Sequence, residues 1–66
     1  MKVHFDEQGD AVYFQLDDST IVESEEVKPG LILDYNEKNQ IVGFEILHVA
    51  SRVPVSNLRQ LQFEIA

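Results

Sequence analysis

The apolar residues of this chain come in short runs, none longer than seven positions, and turn-forming residues separate them. A soluble amphipathic helix needs about ten residues or more, whereas a strand is complete in four to eight, so this spacing restricts the chain to a sheet-dominated fold. Within the runs the side chains alternate. Ala11-Val12-Tyr13-Phe14-Gln15-Leu16 places Val12, Phe14 and Leu16 on one side of the pleat, read as the core side, and Ala11, Tyr13 and Gln15 on the other. Ile41 to Leu47 likewise separates Val42, Phe44 and Ile46 from Ile41, Gly43, Glu45 and Leu47, with Gly43 marking close packing or a bulge. Leu31-Ile32-Leu33-Asp34-Tyr35 is apolar on both sides except at Asp34, the pattern of a strand covered on both faces.

The intervening segments supply the reversals. Val3-His4-Phe5 reads as a first strand ending at Asp6-Glu7-Gln8-Gly9-Asp10, where Gly9 is expected to take the positive φ. Asp17-Asp18-Ser19 is a turn cluster, and Thr20 to Val27 is a third strand wet on at least one face, as expected near a sheet edge. Lys28-Pro29-Gly30-Leu31 has proline second and glycine third, the signature of a type II turn. Asn39 is placed for a left-handed conformation closing the loop 36–40. After Leu47 the alternation lapses, and His48 to Arg52 suits a single helical turn before Pro54. Ser56 is placed to cap a short helix through Leu61, with Leu58 and Leu61 on one face. Gln62-Phe63-Glu64-Ile65 alternates again and reads as a short final strand, or else an extended tail. The expected fold class is α+β, mainly β: an antiparallel β-meander of four to five strands with a short C-terminal helix, one small domain over residues 1–66.

Composition matters for what such a domain lacks. A chain of 66 residues buries only about 60% of its unfolded surface, and with no cysteine it has no disulfide to compensate. A well-paired sheet, a bound ion or self-association must supply the remainder, and self-association is the common solution. Twelve acidic against five basic residues give a formal charge of -7. Such a surface repels phosphate backbones and anionic bilayers, so neither nucleic acid nor membrane is an expected partner. No apolar stretch approaches a membrane span, and the expected location is the cytoplasm.

Three phrases carry a family resemblance: Gly9-Asp10-Ala11-Val12-Tyr13-Phe14-Gln15-Leu16, Glu26-Val27-Lys28-Pro29-Gly30-Leu31-Ile32-Leu33-Asp34-Tyr35, and Ile41-Val42-Gly43-Phe44-Glu45-Ile46-Leu47. With their strand order they resemble the small, mostly bacterial proteins grouped as domain of unknown function 2283, from Val3 to about Ser51. The resemblance implies a compact β-rich domain of no established activity and brings no catalytic residues with it. Asn39 stands where members often have glycine, and the segment after Arg52 lies outside the shared pattern.

Few residues suggest chemistry. Asp34, Glu45 and His48 would converge on a hard cation, or act as acid and base, if the strands bearing the carboxylates pair with those side chains on one face. The simpler reading is polar decoration of a wet or subunit-covered face. His4 has no cysteine and no second histidine near it, which favours a structural role. The serines lack a nucleophile-elbow context, the three glycines are isolated, and the basic residues are dispersed. No catalytic, cofactor or metal residue is therefore assigned. Asp17, Asp18, Glu23, Glu25 and Glu26 form an acidic run that would suit a basic protein partner, as in an antitoxin-like inhibitor, or simply a solvated edge. The favoured expectation is a non-enzymatic, self-associating module, a dimer first of all, with Tyr13, Leu31, Leu33 and Tyr35 on a second sheet face covered by another copy. The acidic binding protein is the alternative, and a metal-binding or hydrolytic protein using Asp34, Glu45 and His48 the second.

Overall fold

The computed structural model describes residues 1–65: strands β1 (Lys2–Asp6), β2 (Ala11–Gln15), β3 (Glu23–Lys28), β4 (Leu31–Tyr35) and β5 (Ile41–Leu47), a single 3-10 turn at Val49–Ser51, and a short helix α1 (Val55–Leu58). All strands join one antiparallel sheet in the order β1-β2-β5-β4-β3. The fold is mainly β, as the alternation requires. Consecutive pairing holds for β1–β2 and for β3–β4–β5, and it is interrupted where β5 returns to lie beside β2. The connection from Leu16 to Val22 carries the chain to the far side of the sheet, so β3 becomes an edge strand, as its glutamates lead one to expect.

The turns follow their local chemistry with one exchange. Gly30 has φ 82°, the value the third position of a type II turn demands, and Asn39 has φ 61°. In the first hairpin the left-handed residue is Asp10, φ 54°, and not Gly9. Aspartate tolerates that region, and here it gains two bonds: the Asp10 carbonyl accepts from the Val49 amide at 3.2 Å and its carboxylate from the Ala50 amide at 2.8 Å. Those bonds tie the 3-10 turn to the start of β2, where Val49 is buried. The expected helical turn before Pro54 is thus present.

Further along, α1 starts two residues earlier than the cap at Ser56 would place it. Pro54 is the residue before the helix, with ψ 137°, and its fixed φ already suits helix initiation. The segment 61–65 forms no strand, because no strand of its own chain comes alongside it. Among the described residues no helix is long and apolar enough to cross a membrane.

The interior is small. Val12, Val42 and Val49 are the buried apolar side chains among the described residues, at 2 to 3% exposure. The larger Phe14, Phe44, Leu31, Leu33 and Ile46 are only half-buried. Arg52 fastens one end of the sheet: its guanidinium donates to the Leu47 carbonyl and to the Pro29 carbonyl, both at 2.9 Å, and lies where a Cβ on Gly30 would project.

Candidate functional site

The strand registers sort the side chains into rows that cross the sheet. One row is Val3, Phe14, Phe44, Leu33 and Glu25, and the next is Phe5, Val12, Ile46 and Leu31. Residues paired across antiparallel strands share a face, so these rows make one continuous apolar surface, closed at the β3 edge by glutamate. Phe14 and Phe44 stack at its centre with ring centroids 4.7 Å apart, a cross-strand pair that contributes about 1 kcal/mol beyond its area.

The opposite face carries the rows His4, Tyr13, Glu45, Ile32 and Glu26, and Lys2, Gln15, Gly43, Asp34 and Ser24. Here three of the polar groups satisfy one another. The Tyr13 hydroxyl donates to Asp34 Oδ2 at 3.0 Å and the Ser24 hydroxyl to Asp34 Oδ1 at 2.6 Å. Tyr13 stands on β2 and Asp34 on β4, so the phenol must cross β5, and it does so over Gly43, where any side chain would collide with it. Gly43 therefore marks a close approach. Burial raises the Tyr13 pKa above 10.0, reinforced by its bond to Asp34 and by the carboxylates of Asp34 and Glu45, since each disfavours a phenolate.

These rows divide the four residues expected on one face. Leu31, Leu33 and Tyr35 do share a face, but it is the face of Phe14 and Phe44, while Tyr13 lies on the opposite side with Glu45. Alternation fixes which residues of one strand point together; only the hydrogen-bonded register relates one strand to the next. The sheet has one apolar face and one polar face, and Ile32 is the apolar residue of β4 that the polar face retains.

Asp34 and Glu45 also lie on that polar face, on adjacent strands, but both oxygens of Asp34 are engaged by hydroxyls. His48 lies beyond the end of β5, exposed, with φ 54°. No three ligating side chains form a metal-binding group among the described residues. An open cleft of about 510 Å³ lies between the loops around Ser19 and Lys38. Its buried Asn36 is engaged within the loop: the carboxamide oxygen accepts from the Lys38 and Gln40 amides at 3.0 Å each, and the nitrogen donates one bond to Gln40 Oε1 at 2.9 Å. Asn36 thus builds the β4–β5 loop. Its sequence signal, an asparagine closing a strand with loop amides two and four residues on, is that of an Asx turn.

With strand order and faces in place, the family can be stated. The model for a protein family described as Protein of unknown function (DUF2283) matches residues 2–49, well over half of the chain. The chain belongs to the DUF2283 family. No curated protein and no solved structure shows significant similarity to it. The matched region of this DUF2283 chain contains all five strands and both faces, while Arg52, α1 and the segment 61–65 lie beyond it.

Proposed function

We propose that this DUF2283 chain is a non-enzymatic self-associating interaction module, a homodimer in which the apolar sheet face of one copy covers that of another. The observation that carries this reading is the chain's surface. A folded monomer of 7.6 kDa is expected to expose about 4,300 Å², and this one exposes 5268 Å², an excess of roughly 1,000 Å². A standard stable interface removes about 800 Å² from each partner, so the excess is of the size that one subunit of a dimer would bury, shared between the half-covered sheet face and the exposed Leu61, Phe63 and Ile65.

Shape supports the same reading. The radius of gyration is 12.7 Å, where a compact chain of this length has about 11 Å. The side chains of the apolar face are also the right kind for an interface centre: Phe14, Phe44, Leu31 and Leu33 are half-buried and pre-positioned on a rigid sheet. Covering them is worth about 25 cal/mol per Å² of apolar area before the costs of association. The polar face lacks this drive, because its side chains are mostly charged or polar and Tyr13, Ser24 and Asp34 already partner one another.

The test is sedimentation equilibrium of the full chain at micromolar concentration, beside Leu33→Glu and the more peripheral Val3→Glu, on the same row. The expected result is a dimer for the parent chain and weaker association in both variants with far-ultraviolet circular dichroism preserved. A parent chain that stays monomeric throughout overturns the reading.

A further inference from the structure

We propose that the segment Leu61–Ile65 of one copy adds as a strand to the free edge of β1 in a second copy, a strand exchange that rests on the dimer reading and gives it a second contact. In its own chain this segment is apolar and unsheltered: Leu61, Phe63 and Ile65 are 63, 73 and 88% exposed. Its side chains alternate as a strand's do, with the three apolar residues on one side and Gln62 and Glu64 on the other. Among the described residues its backbone enters no sheet.

The sheet has two free edges, and charge selects between them. β3 presents Glu23, Glu25 and Glu26, all exposed, and would repel Glu64, the only charged side chain of the segment. β1 presents Lys2, His4 and Asp6 on the polar face and Val3 and Phe5 on the apolar face, one lysine against one carboxylate where β3 sets three carboxylates against Lys28. A strand placed there would set Leu61, Phe63 and Ile65 in line with Val3 and Phe5, extending the rows through Phe14 and Phe44, and would set Glu64 beside Lys2 and His4. Main-chain bonds to an exposed edge, with alternate side chains received by the face below, are the ordinary form of strand addition.

A second copy is the better acceptor for a structural reason. Arg59 is paired with Glu7 at 2.8 Å, which holds the root of the segment near the end of its own β1. Even so, Leu61–Ile65 make no strand with that edge. A segment rooted close by and still unpaired is available to another chain.

The absence of cysteine makes the experiment clean. Two single variants, Val3→Cys and Phe63→Cys, are mixed, unfolded and refolded together, then oxidised. A disulfide joining position 3 of one chain to position 63 of the other is expected, seen as a covalent dimer whose linked peptides are identified by mass spectrometry. Its absence from the mixture overturns the proposal, and an internal disulfide formed instead in the double variant assigns the segment to its own edge. Deleting residues from Leu61 onward is expected to weaken dimerisation at least tenfold by sedimentation equilibrium. Undiminished dimerisation after deletion overturns the strand exchange while leaving the face-to-face dimer standing, whereas a monomeric full chain removes both.

Discussion

The two faces of this sheet are built on the same five strands and solve opposite problems. On the polar face, the hydroxyls of Tyr13 and Ser24 take the two oxygens of Asp34, and once those bonds are made there is nothing left to gain. On the apolar face, Phe14 stacks on Phe44 among leucine, isoleucine and valine, and although Val12 and Val42 are buried within the chain, Phe14, Phe44, Leu31, Leu33 and Ile46 still have uncovered area. Hydrogen bonding is directional and saturates within one chain; apolar contact is neither, so it continues across a molecular boundary. A single-layer sheet can finish one face by itself and must borrow cover for the other.

Substitution should separate the faces. The largest effect is expected from Leu33→Glu, which sets a charge among the apolar rows of a chain already at -7: dimerisation should weaken about a hundredfold, near 2.7 kcal/mol. Unchanged association measured by sedimentation would mean that the contrast between the faces has no consequence in solution. Gly43→Ala, on the polar face, should cost about 2 kcal/mol of stability in urea titration, since Tyr13 has to leave its place above β5. Little change in the urea midpoint would show that the phenol crosses elsewhere.

Tyr13→Phe removes one bond to Asp34 and should cost about 1 kcal/mol while leaving the dissociation constant of the dimer alone. This variant also sharpens the pH dependence. Because the folded-state pKa of Tyr13 is raised above 10.0, its contribution to stability is fully present below pH 10 and is lost as pH rises through the folded value. The alkaline fall in melting temperature should therefore be shallower in Tyr13→Phe than in the parent chain; parallel curves would argue against the assignment. Smallest of all, Arg59→Ala breaks an ion pair exposed on both sides and should change stability by less than about 0.5 kcal/mol.

Much of this fold is legible in the sequence because its determinants are local. Strands β2, β4 and β5, the turn at Gly30 and the left-handed Asn39 all follow from alternation and turn chemistry within a few residues. The place of β5 between β2 and β4 does not, since pairing over a long connection leaves no mark on either strand. The face of Tyr13 is hidden for the same reason: its parity relative to Leu31 and Leu33 is set by the ladders that β2 and β4 each make with β5, which alternation within one strand does not carry. Gly9 and Asp10 exchanged roles through bonds to Val49 and Ala50, about forty residues away. The Tyr13–Asp34–Ser24 network spans three strands and could be read only after their order was known.

The position of β5 has a further consequence for how the molecule comes into being. During synthesis the first forty residues can form only two separate hairpins, β1–β2 and β3–β4, each a thin ribbon with raw edges and little reason to persist. Not until Leu47 has left the ribosome can the last strand enter between them and join the ribbons into a sheet. A nascent chain arrested before that point should be digested readily by protease, and one released a few residues later should resist.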